Sequence, residues 1–353
     1  MKQNNNWIKI TAVVALLTIS FNQIFAGNPQ RAGQAGASEL LINPWARSSG
    51  WGGANVAGIR GLEGIYSNVA GLAFTEKTEL IFSNTQWLKI GNESVSNISS
   101  FGFSQKIGTS GALGFSVMSM GFGDIEITTV DLPDGGMGTY SPKFMNMSVS
   151  YARIFSNSIY GGATVKVISE QISNVGASGV ALDAGIQYVT GKKDNLKFGI
   201  ALKNVGPRIS FTGDGLSFRG IVGDDDGYKM TVEQRSSELE LPALLNIGMS
   251  YDINIKRHRV TGAGTFTSNS FQKDQYRIGG EYSYRDMFMV RMGYTHEKEI
   301  NSSTRTNALR GPSAGFTVEL PMGSGGSTFG FDYSYRHTNP FQGSHTVGAR
   351  INL

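Results

Sequence analysis

The sequence predicts an all-β fold: a transmembrane antiparallel β-barrel of 14 strands with an N-terminal plug, or hatch, in its lumen. Three observations carry this. Apolar and polar residues alternate in segments of about ten residues from residue 78 to the end of the chain, near the length of a tilted bilayer-crossing strand. The links between these segments sort by parity, with the longest all on one side. The alternation also runs through the last stretch, "HTVGARINL", so the final strand needs a partner, and pairing with the first strand closes a barrel without an edge.

The chain opens with Lys2 and Lys9, the apolar run "ITAVVALLTI" and the exit "FNQIFAGN". This reads as a signal peptide over residues 1–26, cleaved after Ala26. The run is shorter than the roughly 20 apolar residues of a membrane-spanning helix. Without Cys there is neither a lipid-anchoring cysteine nor a disulfide framework. Removing residues 1–26 takes two lysines and no acid, so the formal charge drops from +4 to +2. No basic stripe interleaved with aromatics accompanies it, so nucleic acid is not an expected partner.

Residues 27–76 do not alternate. The stretch "ELLINPWARSSGWGGANVAGIRGLEGIYSNVAGLAF" is rich in Gly, Ala and Asn, yet its Trp, Ile and Leu content is too high for a disordered leader. A barrel of this size has an interior to fill, so the segment reads as a plug. Trp51, Gly52, Gly53, Asn68, Ala70, Gly71 and Leu72 are its expected key residues.

Residues 77–353 form the barrel. Strands are expected near 78–88, 97–107, 111–121, 143–154, 159–172, 179–190, 196–206, 243–253, 258–268, 275–285, 286–297, 313–321, 327–337 and 345–353. In "STFGFDYSYRH", Phe329, Phe331, Tyr333 and Tyr335 share one face, and Asp332, Ser334 and Arg336 the other. A mid-strand charge must meet water or a partner, so the polar face is luminal and the apolar face meets outer-membrane lipid. The expected luminal charges are Lys166, Asp183, Arg277, Glu281, Arg285, Arg291, Asp332, Arg336 and Arg350. The tight links "GTSG", "SNS", "GKKDN", "NIKRH", "RD" and "MGSGG" are periplasmic turns. The links 122–142, 207–242 and 298–312 are extracellular, and an even strand count puts both chain ends on the periplasmic side.

No catalytic set emerges, so the chain is not expected to be an enzyme or to hold a cofactor. His258, His296, His337 and His345 are scattered, which argues against a transition-metal site. Asp224, Asp225 and Asp226 could attract Ca²⁺ by composition, but without EF-hand spacing they read as a solvated loop tip. "GWGG" opens no βαβ helix and is no phosphate cradle. The candidate partner-binding residues lie in the long loops: Leu132, Tyr140, Phe218, Ile221 and Tyr228.

"ARSSGWGGANVAGIRGLEGIYSNVAGLAF" resembles the N-terminal segment of the PorV/PorQ family, itself similar to the hatch of FadL-type fatty-acid channels. "FGIALKNVGPRISF" and "ELPALLNIGMSY" resemble strand motifs of the same family. Where the hatch usually reads Asn-Pro-Ala-Gly-Leu, this chain reads Asn68-Val69-Ala70-Gly71-Leu72, losing a fixed φ. The resemblance implies a 14-stranded FadL-like barrel in the outer membrane of a Gram-negative bacterium of the Bacteroidota. It further implies a part in type IX secretion, with the translocon and cargo C-terminal domains as partners. A transporter of hydrophobic small molecules is the alternative expectation.

Overall fold

The computed structural model describes residues 27–353 except 92, 223–226, 304, 306 and 324. The expected signal peptide and Asp224, Asp225 and Asp226 therefore lie outside the described residues.

Fourteen strands close into one antiparallel barrel. In chain order they are β1 (Thr78–Ile90), β2 (Glu93–Ile107), β3 (Gly111–Gly121), β6 (Lys143–Ile154), β7 (Ile159–Ile172), β8 (Val175–Thr190), β9 (Leu196–Val205), β12 (Leu244–Ile255), β13 (His258–Asn269), β14 (Gln275–Tyr284), β15 (Phe288–Glu297), β16 (Leu309–Met322), β17 (Ser327–Thr338) and β18 (Ser344–Asn352). Two small hairpins complete the numbering: β4 (Ile125–Glu126) with β5 (Thr139–Tyr140), and β10 (Ser217–Val222) with β11 (Tyr228–Glu233). Each expected strand is present. β1 pairs with β18 from Glu79↔Asn352 to Gln86↔His345, so the last residues of the chain do close the ring.

The two faces follow the period of two. On β12, Leu245, Ile247, Met249, Tyr251 and Ile253 face outward, while Asn246, Ser250 and Asp252 are buried inside. β18 keeps the same rule: Val347 is exposed, whereas Thr346, Gly348 and Arg350 are buried.

The turns between β2 and β3, β6 and β7, β8 and β9, β12 and β13, β14 and β15, and β16 and β17 are all tight. On the opposite rim the loop sorting is only partial. The links 91–92 and 173–174 are also tight, since β1, β2 and β8 run further than expected. Gly91 at φ 58° and Ser173 at φ 52° make these two hairpins, and only the links after β3, β9 and β15 are long.

Arg285 is the one expected luminal charge that the fold turns away. It sits in the β14–β15 turn at φ 54°, exposed, with its guanidinium 5.3 Å from the Tyr284 ring. The "RD" turn forces it out of the strand's alternation.

Candidate functional site

The N-terminal segment packs inside the ring of strands. A short helix, α1 (Ala46–Gly50), and the 3-10 turns Gly61–Tyr66 and Val69–Phe74 are nearly all buried. Most of the close approaches are made onto inward-facing glycines of the wall. A Cβ on Gly102 of β2 would fall 2.9 Å from Leu62 and 3.1 Å from Trp45. On Gly199 of β9 it would fall 2.8 Å from the Ala57 Cα, and on Gly293 of β15 2.5 Å from the Trp51 carbonyl carbon. Gly114, Gly185, Gly248 and Gly315 meet Leu72, Asn68, Val56 and Gly50 in the same manner. The wall thus has a belt without side chains, on which backbone of the segment rests at Gly199, Gly293 and Gly315 and its side chains rest at Gly102, Gly114, Gly185 and Gly248.

Asn68-Val69-Ala70-Gly71-Leu72 holds its turn without a proline. Asn68 caps the turn, its Oδ1 accepting the Ala70 N–H at 3.2 Å, while its Nδ2 donates to Val56 O at 3.3 Å and Ile186 O at 3.1 Å. Those bonds fix the turn that a proline ring would otherwise fix. Gly71 leaves room for the Ile59 carbonyl, 2.6 Å from where a Cβ would sit, and Leu72 is fully buried. Gly52 and Gly53 continue the chain past Trp51 at φ 60° and 79°, and Gly53 passes directly over the Arg277 guanidinium.

The luminal charges brace the wall and tie it to this segment. Arg350 pairs with Glu63 at 3.2 Å, Glu319 at 3.4 Å and Asp332 at 3.6 Å, and Glu63 also accepts the Ser48 hydroxyl at 2.6 Å. Arg291 pairs with Glu281 at 2.8 Å and donates to Thr317 at 2.7 Å. Lys166 pairs with Asp183 at 2.6 Å and donates to Asn204 at 2.8 Å. Arg277 donates to Gln275, and Arg336 has no ionic partner among the described residues. Two luminal cations stand outside the expected set: Lys197, paired with Asp252 at 2.5 Å, and Lys203, which donates to Tyr66 O at 2.6 Å. Both lie on the polar parity of "LKFGIALKNV", so alternation alone could have found them.

A second missed feature is apolar. Ile81, Ile98, Met118 and Met120 point inward and are buried, sharing parity with neighbouring Ser and Thr. With Ile42, Trp45, Leu62, Ile65 and Tyr66 they form one core, in which the Trp45 and Tyr66 rings meet edge to face at 5.7 Å. Half-buried Trp87, Phe122 and Phe144 extend it toward the rim of long loops, with Phe122 and Phe144 5.0 Å apart. Ile98 among the serines of "SVSNISS" is the signal that could have been read: an apolar residue on the wet face.

Of the loop candidates, Leu132, Phe218, Ile221 and Tyr228 are exposed and Tyr140 is half-buried. Phe218, Ile221 and Tyr228 are carried by the β10–β11 hairpin. Outside the barrel span, Arg31 and then Arg208 beside Glu240 hold its carboxyl below the usual carboxylate range.

No protein-family model and no curated protein sequence matches the chain. Solved structures do. The chain is similar to the CymD monoaromatic hydrocarbon channel, with 13% identity over 88% of this chain and 97% of that one, at TM-score 0.54. It is similar to the Pseudomonas putida toluene transporter TodX, also at 13% identity over 88% and 97%, at TM-score 0.55. A Pseudomonas aeruginosa FadL homologue overlays at TM-score 0.47, with 12% identity over 86% of this chain and 96% of that one. The chain is an all-β, closed fourteen-stranded antiparallel barrel with the fold of the CymD and TodX structures.

Proposed function

We propose that the protein is an outer-membrane channel for hydrophobic small molecules, with no catalytic step of its own. The observation that carries this reading is the inward apolar face of β1–β2–β3–β6. It begins at the buried Trp45–Tyr66 pair and runs through Ile98, Met118 and Met120 to Trp87, Phe122 and Phe144 near the rim of long loops. Elsewhere Ser, Thr and charged residues line much of the lumen, beside smaller apolar clusters around Leu40, Ile168 and Ile209 and around Leu72, Ala112 and Ala152. The shared fold with hydrocarbon channels supports the same reading. The N-terminal segment acts as the plug, and its seat on the glycine belt keeps water and ions from passing freely.

The test is uptake of toluene and of a long-chain fatty acid by cells carrying Met120→Gln with Phe144→Ser. The folded band on a heat-modifiability gel is expected to persist while uptake falls roughly tenfold, the factor that about 1.4 kcal/mol of lost apolar contact gives. Unchanged uptake with an intact barrel refutes the channel.

A second reading, a non-catalytic part in type IX secretion, rests on the PorV/PorQ resemblance and on one feature of the outer wall. Asn84, Gln86, Asn97 and Ser99 face outward where other strands present apolar residues, and Asn84 donates to Ser99 at 3.1 Å. Such amides suit a protein partner better than hydrocarbon. The exposed β10–β11 hairpin would contact translocon or cargo. Replacing 207–242 by a tight turn should leave the barrel folded, since loop length is thermodynamically cheap to change. Lost cargo secretion with normal uptake would favour this second reading over the channel.

A further inference from the structure

The outer wall carries two hollows that share an edge. The first is a groove of about 460 Å³ across β15, β16 and β17, lined chiefly by Phe288, Val290, Ala314, Phe316, Tyr333 and Tyr335. Ala314 opens it, because its register neighbours on either side, Met292 and Tyr335, are both large. The second hollow, about 290 Å³, lies at the long-loop ends of β1 and β18 and is lined by Asn84, Gln86, Lys89, His345 and Val347. Tyr335 pairs in register with His345, and Tyr333 with Val347. The Tyr333 hydroxyl is 2.8 Å from His345 Nδ1, and the Tyr335 and His345 rings are 5.1 Å apart. These three side chains are the partition, with an apolar groove on one side and a polar hollow on the other.

Lys89 reaches the polar hollow because β1 breaks its alternation there. After the outward Asn84 and Gln86, a period of two would turn Leu88 outward and Lys89 inward. Leu88 instead sits at φ 54°, and the backbone beyond it is tied to the β17–β18 link. Lys89 N donates to Gly343 O at 3.2 Å, and Gln342 N donates to Lys89 O at 2.8 Å. None of the five residues lining this hollow is acidic, and among the described residues no carboxylate pairs with the Lys89 ammonium. A half-buried ammonium on a lipid-facing wall calls for an anion. Asn84 and Gln86, with Asn97 and Ser99 next to them on β2, add the amide and hydroxyl groups that match the hydroxyls of a sugar.

We propose that the two hollows are one binding site on the outer wall, for an acylated, phosphate-bearing sugar lipid of the membrane leaflet at the long-loop rim, the cell-surface side of an outer-membrane barrel. The phosphate meets Lys89, the sugar hydroxyls meet the amides of Asn84 and Gln86, and an acyl chain passes over Tyr335 into the groove beside Ala314. The site lies outside the ring of strands, so it stands whether or not a solute crosses the lumen. It gives the outward amides a lipid to bind, and a protein on the same face is the competing occupant.

The test titrates the full chain, folded in detergent micelles, with diphosphoryl lipid A and counts bound copies by native mass spectrometry. The heat-modifiable band shows that each variant is folded. The parent should retain one copy. Lys89→Gln, which removes the cation, and Ala314→Leu, which fills the groove, should each weaken retention at least roughly tenfold, the factor that about 1.4 kcal/mol gives. Lys192→Gln, in the tight β8–β9 turn on the opposite rim, should change nothing. Phosphatidylglycerol, an anionic lipid without the sugar, should bind the parent at least roughly tenfold more weakly than lipid A, and Gln86→Leu should narrow that gap. Unaltered lipid A retention in either Lys89→Gln or Ala314→Leu overturns the site, and Lys89→Gln alone decides where Ala314→Leu does not fold. Equal retention of phosphatidylglycerol by the parent overturns the sugar lipid as occupant. A protein that co-purifies with the parent and is lost from Lys89→Gln, with lipid retention unaltered, gives the face to a protein partner and overturns the proposal too.

Discussion

Adding one methyl group at Gly293 should unseat the N-terminal segment. An alanine Cβ there would lie 2.5 Å from the Trp51 carbonyl carbon, with the carbonyl oxygen nearer still. Ordinary Cβ contacts begin at 3.4 Å, so the Trp51 backbone must retreat by close to an ångström. It is not free to do so, because Thr295 Oγ1 donates to Gly52 O at 3.2 Å and Ser313 Oγ donates to Gly50 O at 3.1 Å on either side. Overpacking of this kind costs about 1–3 kcal/mol, and two strained hydrogen bonds add about 1 kcal/mol each, giving roughly 3–5 kcal/mol. Gly262→Ala is the control. It is on the outer face of β13 with nothing within 4 Å of its Cβ, and is expected to be neutral or to stabilise by about 0.4–1 kcal/mol. Urea unfolding in lipid vesicles, followed by fluorescence of Trp45, Trp51 and Trp87, measures both. A Gly293→Ala cost within about 0.5 kcal/mol of the Gly262→Ala value would refute the close seating of segment on wall.

Three further outcomes are expected. Ile200→Arg, outward and mid-strand on β9, should cost roughly 2–4 kcal/mol in the same assay, whereas Ile351→Arg, one residue from the end of β18, should cost about 1 kcal/mol or less; equal values would mean the bilayer sits elsewhere on the wall. Arg350→Met strands the buried carboxylates of Glu63 and Asp332 and should cost about 3–5 kcal/mol, with Glu63→Gln in the same chain restoring part of it; a strictly additive double variant would disprove the pairing. Asn68→Ala removes a cap and two donors at once and should cost about 2 kcal/mol by urea midpoint, with proteolysis between Gly61 and Phe74 as the visible consequence; unaltered proteolysis would deny Asn68 its role in place of the missing proline.

The barrel was legible because a strand with one wet and one oily face repeats its signal every two residues, and most strands keep that signal from end to end. The faces of "STFGFDYSYRH" and "HTVGARINL" are those the alternation assigns. Arg285 misled because alternation does not mark where a turn begins. The β10–β11 hairpin was missed although "SFRGIV" and "YKMTVE" alternate weakly, since both of its faces are largely exposed and no buried face sharpens the pattern. The apolar inner face was legible only as an exception, Ile98 among serines. The path of residues 27–41 was not legible at all. It is set by single contacts such as Gly36 to Glu240 and Asn28 to Gln272, more than two hundred residues apart, which leave no periodicity behind.

The Arg350–Glu63 pair joins residues separated by 287 positions, and Arg350 is the fourth residue from the end of the chain. Its consequence is one of timing. Until β18 has been made and laid beside β1, Glu63 lacks the Arg350 guanidinium and the ring has no closure, so the N-terminal segment cannot be locked early and left to wait. Contacts this distant carry the full loop-closure entropy and form slowly. For the whole interval before closure the segment's Trp, Ile and Leu residues are uncovered, and whatever accompanies folding of the barrel must also shelter the part that was made first.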